Sequence, residues 1–183
     1  LNQKSTKQMI SDNNETILEK NIISFKKYLK NIPIQVVSNC KDLSKVSEIN
    51  KKFNILPPVL GGNERQESVF NALKSLKKIN PKYVLIHDAA RPLVSWQVIK
   101  KLLKYCEKEV ACVVPTLNVA DAIRTVSKNL ITDVVSKKGK VLVQTPQLCN
   151  YKLLMDEHVK SKILFEDESS LFLNKGMRVI ATE

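Results

Sequence analysis

"YVLIHDAARPL" (residues 83–93) joins an apolar run to a cluster of charged residues. The run YVLIHD (83–88) predicts a buried strand, because uninterrupted apolar sequence is typical of a parallel sheet covered on both faces. Ligands of open α/β sheets bind beyond the carboxyl ends of the strands. Asp88 and Arg91 stand at such an end, and Pro92 restricts the backbone that follows them. The segment therefore predicts a binding site at the edge of an α/β sheet.

The segments around this strand alternate between helical and extended patterns. Apolar residues at helical spacing predict amphipathic helices, and short β-branched runs predict strands. The predicted helices are residues 15–30, 42–53, 65–78 and 95–109, and the predicted extended segments are 33–39, 54–62 and 110–116. The predicted helix-capping residues are Asn13 or Asn14, Asp42 and Ser95. Repeated alternation of helix and strand predicts a doubly wound, mostly parallel sheet.

The alternation stops near residue 116. Three short segments separated by turn residues then predict an antiparallel β-arm that leaves the main sheet, before helical patterns return. The predicted arm strands are 121–126, 131–136 and 141–146, the helices are 150–162 and 167–176 with Gly176 as a C-terminal cap, and the last strand is 177–182. Residues 1–183 are thus predicted to form one α/β domain, Rossmann-like, with a β-arm at about 116–145.

Composition indicates a globular protein rather than a disordered or membrane protein. Hydrophobic residues make up 43% and charged residues 26% of the 183 positions. No apolar run reaches the roughly 18 residues of a membrane span, so no membrane association is expected. The net charge of +12 admits a basic nucleic-acid-binding module as one alternative. The lysines are spread along predicted helix faces without interleaved aromatic residues, which favours a solvated surface instead.

The four cysteines are far apart in the sequence. They form no CxxC pair and no Cys–His cluster with metal-ligand spacing, so they are interpreted as free thiols in a reducing compartment.

Asp88 and Arg91 suit the binding of a phosphorylated ligand. A carboxylate at a strand end can hold Mg²⁺, which prefers oxygen ligands and commonly bridges to substrate phosphates. The planar guanidinium of Arg91 suits a phosphate group. An Asp–Arg ion pair that stabilises the turn without a ligand is the alternative. His87 is expected to point to the opposite face, as a core or supporting residue.

The segment GGNERQES (61–68) is a second candidate binding element. Two glycines end an extended segment and a helix follows, so backbone N–H groups can approach a ligand closely. Ser68, one turn inside the helix, could reach the same ligand. A plain tight turn is the alternative, because glycine pairs often serve only as turns.

These motifs together resemble the CTP:2-C-methyl-D-erythritol 4-phosphate cytidylyltransferases of non-mevalonate isoprenoid synthesis. The resemblance is carried by four blocks: KQMISDNNETILEKNI (7–22), GGNERQESVFNAL (61–73), IHDAARPLV (86–94) and TPQ (145–147). It implies a nucleotide-diphospho-sugar transferase-like fold. The family's glycine-rich phosphate loop would precede Leu1 and its last phosphate-binding lysine would follow Glu183, so the sequence is expected to be a core that lacks both family termini.

On the nucleotide side, the resemblance implies a role for residues of the first three blocks. Lys7 matches a lysine that neutralises the triphosphate, and Asp88 matches the Mg²⁺ carboxylate. Gly62, Asn63 and Ser68 match the cytosine-binding stretch, with Asn63 where the family has Asp.

On the acceptor side, the resemblance includes several departures. Arg91 matches a residue beside the substrate phosphate, and Thr145 matches a threonine that lines the site. Lys137 stands where the family has an arginine for the methylerythritol phosphate, Asp121 is followed by alanine instead of threonine, and Glu166 replaces a threonine. The resemblance thus implies CTP use more firmly than it implies the identity of the acceptor.

The expected reaction joins CTP and 2-C-methyl-D-erythritol 4-phosphate, with Mg²⁺, and releases pyrophosphate. A cytidylyltransferase for another polyol phosphate, such as ribitol 5-phosphate, remains an alternative. The resemblance also implies a homodimer held by the β-arm, in which Lys137 reaches the partner's site. A plastid-like organelle is the expected compartment, since the Lys/Asn bias suggests an AT-rich genome, and a bacterial-type cytoplasm is the alternative.

Overall fold

The structure is a computed structural model that describes residues 6–161 and 163–183. Within them, the helices are α1 (Ile17–Tyr28), α2 (Leu43–Phe53), α3 (Arg65–Ser75), α4 (Trp96–Leu103), α5 (Tyr151–Lys160) and α6 (Glu168–Asn174). The strands are β1 (Ser11–Asp12), β2 (Glu15–Thr16), β3 (Val37–Ser38), β4 (Val59–Leu60), β5 (Tyr83–Ile86), β6 (Cys112–Asn118), β7 (Ile123–Ser127), β8 (Leu130–Val135), β9 (Val141–Val143), β10 (Gln147–Asn150) and β11 (Val179–Thr182). None of the described helices has the length and apolarity that a transmembrane segment requires.

The central sheet has the strand order β11-β6-β10-β5, and β9 pairs with β6. Strand β11 is parallel to β6, whereas β10 is antiparallel to both β6 and β5. Strands β5, β6 and β11 therefore point the same way, and β3 and β4 form a further parallel pair. The predicted α/β class with a mostly parallel sheet is confirmed.

The sequence prediction was wrong about the surroundings of β5. The strand ends at Ile86, its four residues are half-buried, and its hydrogen-bonded neighbour is the antiparallel β10. Strand β10 was also missed: residues 141–146 were assigned to the arm and 150 to a helix, but Gln147–Asn150 inserts between β5 and β6. Pairing between strands so distant in sequence has no local signature in either strand.

The predicted capping residues are confirmed at two helices and wrong at a third. Ser95 accepts a hydrogen bond from the Val98 amide and opens α4, although that helix ends earlier than predicted. Asp42 precedes α2 as expected, but its side chain makes no capping bond. The cap of α1 is Thr16, which forms a capping box with Glu19, and not Asn13 or Asn14. Both asparagines have positive φ and form the turn between β1 and β2 instead.

The apolar core covers both faces of the central sheet. Cys112 and Val114 of β6 pack on the side of α5 and α6, whereas Val113 packs on the side of α4 with Leu102. This alternation follows from the period of two in a strand. Burial on both faces explains why the β6 sequence reads as a continuous apolar run.

The helix α1 connects the amino-terminal part of the described chain to the segment after β5. The side-chain amide of Asn21 donates to the carbonyl oxygen of Ala89 at 2.8 Å. Met9, from the 3₁₀ turn Lys7–Met9, belongs to the buried cluster against which Ala89 packs. Residues next to the start of the described chain and residues next to Asp88 are therefore neighbours in space.

Candidate active site

A cavity of about 600 Å³ opens beyond the carboxyl end of β5. Its wall combines residues from the segment after β5, from the segment around β9 and β10, and from the start of α6. Residues of opposite charge and several hydroxyls share this wall: Arg65, Asp88, Arg91, Thr145, Glu166 and Ser170. The location agrees with the rule that α/β ligands bind at strand carboxyl ends.

Asp88 is held at the cavity wall from both its backbone and its side chain. Its amide donates to Thr145 Oγ1 at 3.2 Å, which joins the end of β5 to the residue ahead of Pro146. Its Oδ2 accepts from Arg91 Nε at 3.2 Å, and Arg65 Nη2 lies 3.8 Å from its Oδ1. The carboxylate nevertheless keeps 38% of its surface exposed, so it remains available to a ligand.

His87 does not line the cavity but hydrogen-bonds to Arg91 and Thr145, which do. Its Nε2 lies 2.9 Å from the Arg91 carbonyl oxygen and 3.0 Å from Asn21 Oδ1, and both partners are acceptors. Nε2 therefore carries the proton, and Nδ1 accepts from the Thr145 hydroxyl at 3.0 Å. Burial lowers the pKa of His87, which agrees with a neutral ring. The supporting role expected for this residue matches its contacts.

The glycine-containing loop and the start of α3 bring together Gly62, Asn63 and Ser68. The Gly62 amide donates to Ser68 Oγ at 3.1 Å, and the Asn63 amide donates to Glu67 Oε2 at 2.8 Å. A side chain could not stand at position 62 without rearrangement, because its Cβ would lie 2.3 Å from the Glu67 Cβ. The loop thus brings its backbone close to α3, and its two amide donors bond to side chains at the exposed surface of that helix.

Sequence reasoning missed Arg65, although this residue lies within the segment GGNERQES (61–68). The guanidinium donates to both carboxylate oxygens of Glu168, at 2.8 Å and 2.9 Å, and Glu168 is 0% exposed. Burial alone would lower the pKa of Arg65, but the charge and hydrogen bonds of Glu168 raise it. No local pattern marks this pair, because 103 positions separate its members.

The residue before α6, Asp167, contributes a half-buried carboxylate to the cavity wall. Asp167 caps α6 by accepting from the Ser170 amide at 2.8 Å, and it also accepts from Gln147 Nε2 at 2.9 Å. Burial opposes the charged form of Asp167, but these hydrogen bonds outweigh it and lower its pKa. The carboxylate is therefore occupied by structural contacts, whereas the neighbouring Glu166 is exposed at the cavity wall.

The structure does not place six of the predicted site residues on the wall of this cavity. Gly62, Asn63 and Ser68 lie on the glycine-containing loop and the start of α3, as described above. Lys7 is exposed on the 3₁₀ turn that packs against α1, close to the Ala89 cluster described above. Lys137 donates to the Ala120 carbonyl oxygen at 2.7 Å, and Asp121 is exposed at the bend before β7. The last two lie on the predicted β-arm, away from the residues that line the cavity.

The sheet order and the cavity at the strand ends define an α/β protein with a candidate ligand site at the edge of its sheet. Comparison with known proteins makes the assignment specific. The family model described as 2-C-methyl-D-erythritol 4-phosphate cytidylyltransferase (IspD) matches residues 1–182, and the chain belongs to this family.

Named relatives and solved structures agree with this assignment. The chain is 41% identical over 129 residues to a bifunctional enzyme IspD/IspF of Wolbachia sp. subsp. Brugia malayi, covering 70% of this chain and 32% of that protein. It is 35% identical over 172 residues to the 2-C-methyl-D-erythritol 4-phosphate cytidylyltransferase of Clostridioides difficile, covering 88% and 72%. The corresponding structure from Thermus thermophilus superposes with a TM-score of 0.82 at 26% identity, covering 97% and 83%. The chain spans about a third of the length of the first curated relatives that it matches.

Proposed function

We propose that this chain forms the cytidylyl-transfer domain of an enzyme that joins CTP and 2-C-methyl-D-erythritol 4-phosphate. The products are 4-diphosphocytidyl-2-C-methyl-D-erythritol and pyrophosphate. The observation that carries the proposal is the convergence of Asp88, Arg91 and Thr145 on one cavity at the sheet edge of a chain that belongs to this family.

The reaction is an in-line displacement at the α-phosphorus of CTP. An oxygen of the acceptor phosphate forms the new P–O bond, and the bond from the α-phosphorus to the oxygen bridging to the β-phosphate breaks. Because the acceptor phosphate is already an anion, no general base is required. The protein has to position two anions and stabilise the added charge, which suits the guanidinium of Arg91 on the cavity wall.

The glycine-containing loop is proposed to bind the cytosine base. The Gly62 and Asn63 amides bond to Ser68 Oγ and Glu67 Oε2, so the base would take the place of these exposed side-chain partners. Lys7 is proposed to neutralise the triphosphate. The shared cluster of Met9 and Ala89 supports this role, since it places the turn that carries Lys7 beside the segment that carries Asp88.

Mg²⁺ is proposed as the cofactor, with Asp88 as its ligand. The chemistry of the donor fits: the carboxylate is a hard oxygen ligand, partly exposed, and its Oδ1 lies 3.8 Å from the nearest Arg65 nitrogen, longer than a hydrogen bond. Among the described residues, no group of three or more acidic, histidine or cysteine side chains could by itself hold a metal ion, so the phosphates of CTP would supply further ligands. The cation would neutralise phosphate charge.

A homodimer formed through the β-arm is proposed as the assembly. Strands β7 and β8 carry four strongly exposed apolar side chains: Val126, Leu130, Ile131 and Val134 are between 61% and 70% exposed. Exposed apolar side chains concentrated in one hairpin are typical of an interaction surface. In such a dimer Lys137 is proposed to reach the site of the partner.

The named relatives are bacterial, which favours a bacterial-type cytoplasm over a plastid-like organelle as the proposed compartment.

A second acceptor remains a candidate because of Glu166. Its exposed carboxylate on the cavity wall can accept hydrogen bonds from hydroxyl groups of a polyol, but it also repels a phosphate. Ribitol 5-phosphate, which has one more free hydroxyl group than 2-C-methyl-D-erythritol 4-phosphate, is therefore the alternative acceptor.

The deciding experiment is pyrophosphate release by the complete protein with CTP, Mg²⁺ and each acceptor in turn. Turnover with methylerythritol phosphate, and much less with ribitol 5-phosphate, is expected. Turnover with neither acceptor, no thermal stabilisation by CTP with Mg²⁺, and salt-sensitive binding of RNA would overturn the proposal in favour of a nucleic-acid-binding module.

A further inference from the structure

The pair formed by Arg65 and Glu168 connects elements that are distant in sequence. Arg65 is the first residue of α3, directly after the glycine-containing loop, and Glu168 is the first residue of α6. Two parallel hydrogen bonds, of 2.8 Å and 2.9 Å, join the guanidinium to the carboxylate. Such a bidentate contact fixes the orientation of the guanidinium as well as its distance.

The same guanidinium also faces the cavity and Asp88. Arg65 is 36% exposed there, and its Nη2 lies 3.8 Å from Asp88 Oδ1. That separation allows electrostatic attraction but is too long for a hydrogen bond. Glu168 therefore keeps Arg65 close to Asp88 while the stronger contacts of Arg65 lie elsewhere, so Asp88 stays available for a ligand.

The burial of Glu168 makes this arrangement rigid. A carboxylate with 0% exposure is costly without a partner, and Arg65 donates to both of its oxygens. Separation of the pair would leave a buried charge uncompensated. Movement of the glycine-containing loop relative to α6 is therefore strongly opposed.

We propose that Arg65, held by Glu168, is a positioning residue that fixes the glycine-containing loop and Asp88 relative to each other. The loop would contact the base and Asp88 the phosphate end of one nucleotide, so their separation must match the length of that ligand. The proposal rests on the proposed function for its effect on catalysis, but the positional effect itself needs no ligand to be measured.

A purely stabilising ion pair is the competing explanation, and a double substitution separates the two. R65M and E168M alone each leave a buried or half-buried charge without its partner and should lower Tm. The double variant R65M/E168M removes both charges and keeps apolar side chains of similar length, a replacement that is often neutral or stabilising. A stabilising pair predicts full recovery of local order and turnover, whereas a positioning pair predicts recovery of Tm alone.

The experiment measures hydrogen exchange of four hydrogen-bonded amides in the complete protein without ligand. Gly62 and Asn63 report on the loop, and Asp88 and Arg91 report on the strand end. In the double variant we expect Tm within a few degrees of the original and exchange at least roughly 10-fold faster at these amides, since local opening is independent of global stability. Wild-type exchange at all four amides in a folded double variant would overturn the proposal.

Two further variants complete the design. R65K keeps the charge but loses the bidentate geometry, and it should show an intermediate exchange rate. It also decides the matter if the double variant fails to fold, because unchanged exchange in R65K would contradict the proposal. The control is K52M, which removes a partner of the buried Glu19 at 2.7 Å, away from the cavity, and should lower Tm without changing exchange at the four amides.

The catalytic readout then tests the proposed function separately. With CTP as the variable substrate, R65M/E168M should lower kcat/KM by roughly 10- to 100-fold, because small displacements of positioned groups are costly. Faster exchange with unaltered kcat/KM would support the positional role and contradict the assignment of this cavity to cytidylyl transfer.

Discussion

Thr145 Oγ1 lies 3.0 Å from His87 Nδ1, and the same hydroxyl accepts the amide of Asp88 at 3.2 Å. The Thr145 hydroxyl thus joins the neutral ring of His87 to the backbone of Asp88, the candidate metal ligand. The direction of each bond follows from the acceptors around Nε2, so the chain of hydrogen bonds has a single consistent arrangement.

The substitution Thr145→Val should misplace Asp88. It leaves the Asp88 amide without its acceptor and His87 without its donor, which costs about 1–3 kcal/mol of unfolding free energy. Turnover should fall by at least roughly 10-fold because the carboxylate moves. Denaturant unfolding and pyrophosphate release measure the two effects. Ser47→Ala, in α2 and away from the cavity, removes a hydroxyl that bonds within its own helix and is the control that should leave both nearly unchanged.

His158 should make the protein less stable in mild acid. It is 7% exposed, its Nε2 has no hydrogen-bond partner among the described residues, and its ring stacks on Phe70 at 5.5 Å. Burial and the charge of Arg65 lower its pKa from 6.5 to about 4. The unfolded chain therefore binds more protons between these values, so stability is full above pH 6.5 and falls as pH decreases towards 4.

The size of this effect can be measured against His158→Phe, which keeps the stacking but cannot titrate. Lowering the pH from about 7.5 to about 5 should cost the original protein about 2 kcal/mol more than the variant, by about 1.4 kcal/mol per pKa unit. Since His87 is present in both proteins, the difference isolates position 158. Parallel pH dependence of the two unfolding free energies would contradict the shifted pKa.

Lys7→Ala should remove about 3–4 kcal/mol of transition-state stabilisation, as for the loss of one preorganised donor. The expected reason is that triphosphate charge is no longer neutralised, so kcat should fall while Tm is retained, because Lys7 is exposed. The exposed Lys27 of α1 provides the control substitution to alanine. Near-normal turnover of Lys7→Ala in the complete protein would show that the assigned role is wrong.

Mixed dimers should test whether Lys137 serves the partner's site. Asp88→Asn and Lys137→Ala are each expected to be inactive alone. A heterodimer contains one site with both original residues, so random mixing should restore about a quarter of the activity in a two-fold symmetric assembly. Asp88→Asn mixed with Thr145→Val is the control and should not recover, since both residues line the same cavity.

Gly62→Ala should weaken CTP binding through a steric effect. The new Cβ would lie 2.3 Å from the Glu67 Cβ, so the loop backbone has to move. Binding calorimetry should show at least roughly 10-fold lower affinity, because a displaced loop no longer holds its polar groups where the base is proposed to bind. Gly139→Ala, in the turn before β9, has positive φ but no neighbour within 4 Å. It should cost about 1 kcal/mol of stability without changing CTP affinity.

Local elements were largely predictable because their signals are local. The helix α2 follows the predicted segment almost to the residue, and Ser95 caps α4, since apolar spacing and capping act within one or two turns. Strand β10 was not predictable in the same way. Its four residues follow directly from the arm, and only pairing with β5 and β6 makes them a central strand.

In the candidate site, too, the features that are local in sequence were predictable and the contacts between distant elements were not. Asp88, Arg91 and Thr145 were predicted as site residues from their motifs and lie on the cavity wall, whereas Gly62, Asn63 and Ser68 were predicted in the same way and do not. Arg65 was overlooked, because an arginine at the start of a helix looks like an ordinary solvated residue until its partner is known.

The sequence by itself determined that a carboxylate and a guanidinium follow the end of an apolar strand, because both are encoded within a few consecutive positions. Only the tertiary structure decided which charged groups form pairs: Arg65 binds the buried Glu168 and remains 3.8 Å from Asp88. The physical reason is burial. A carboxylate removed from water requires a partner, and which cation can reach it depends on how α3, β5 and α6 pack together.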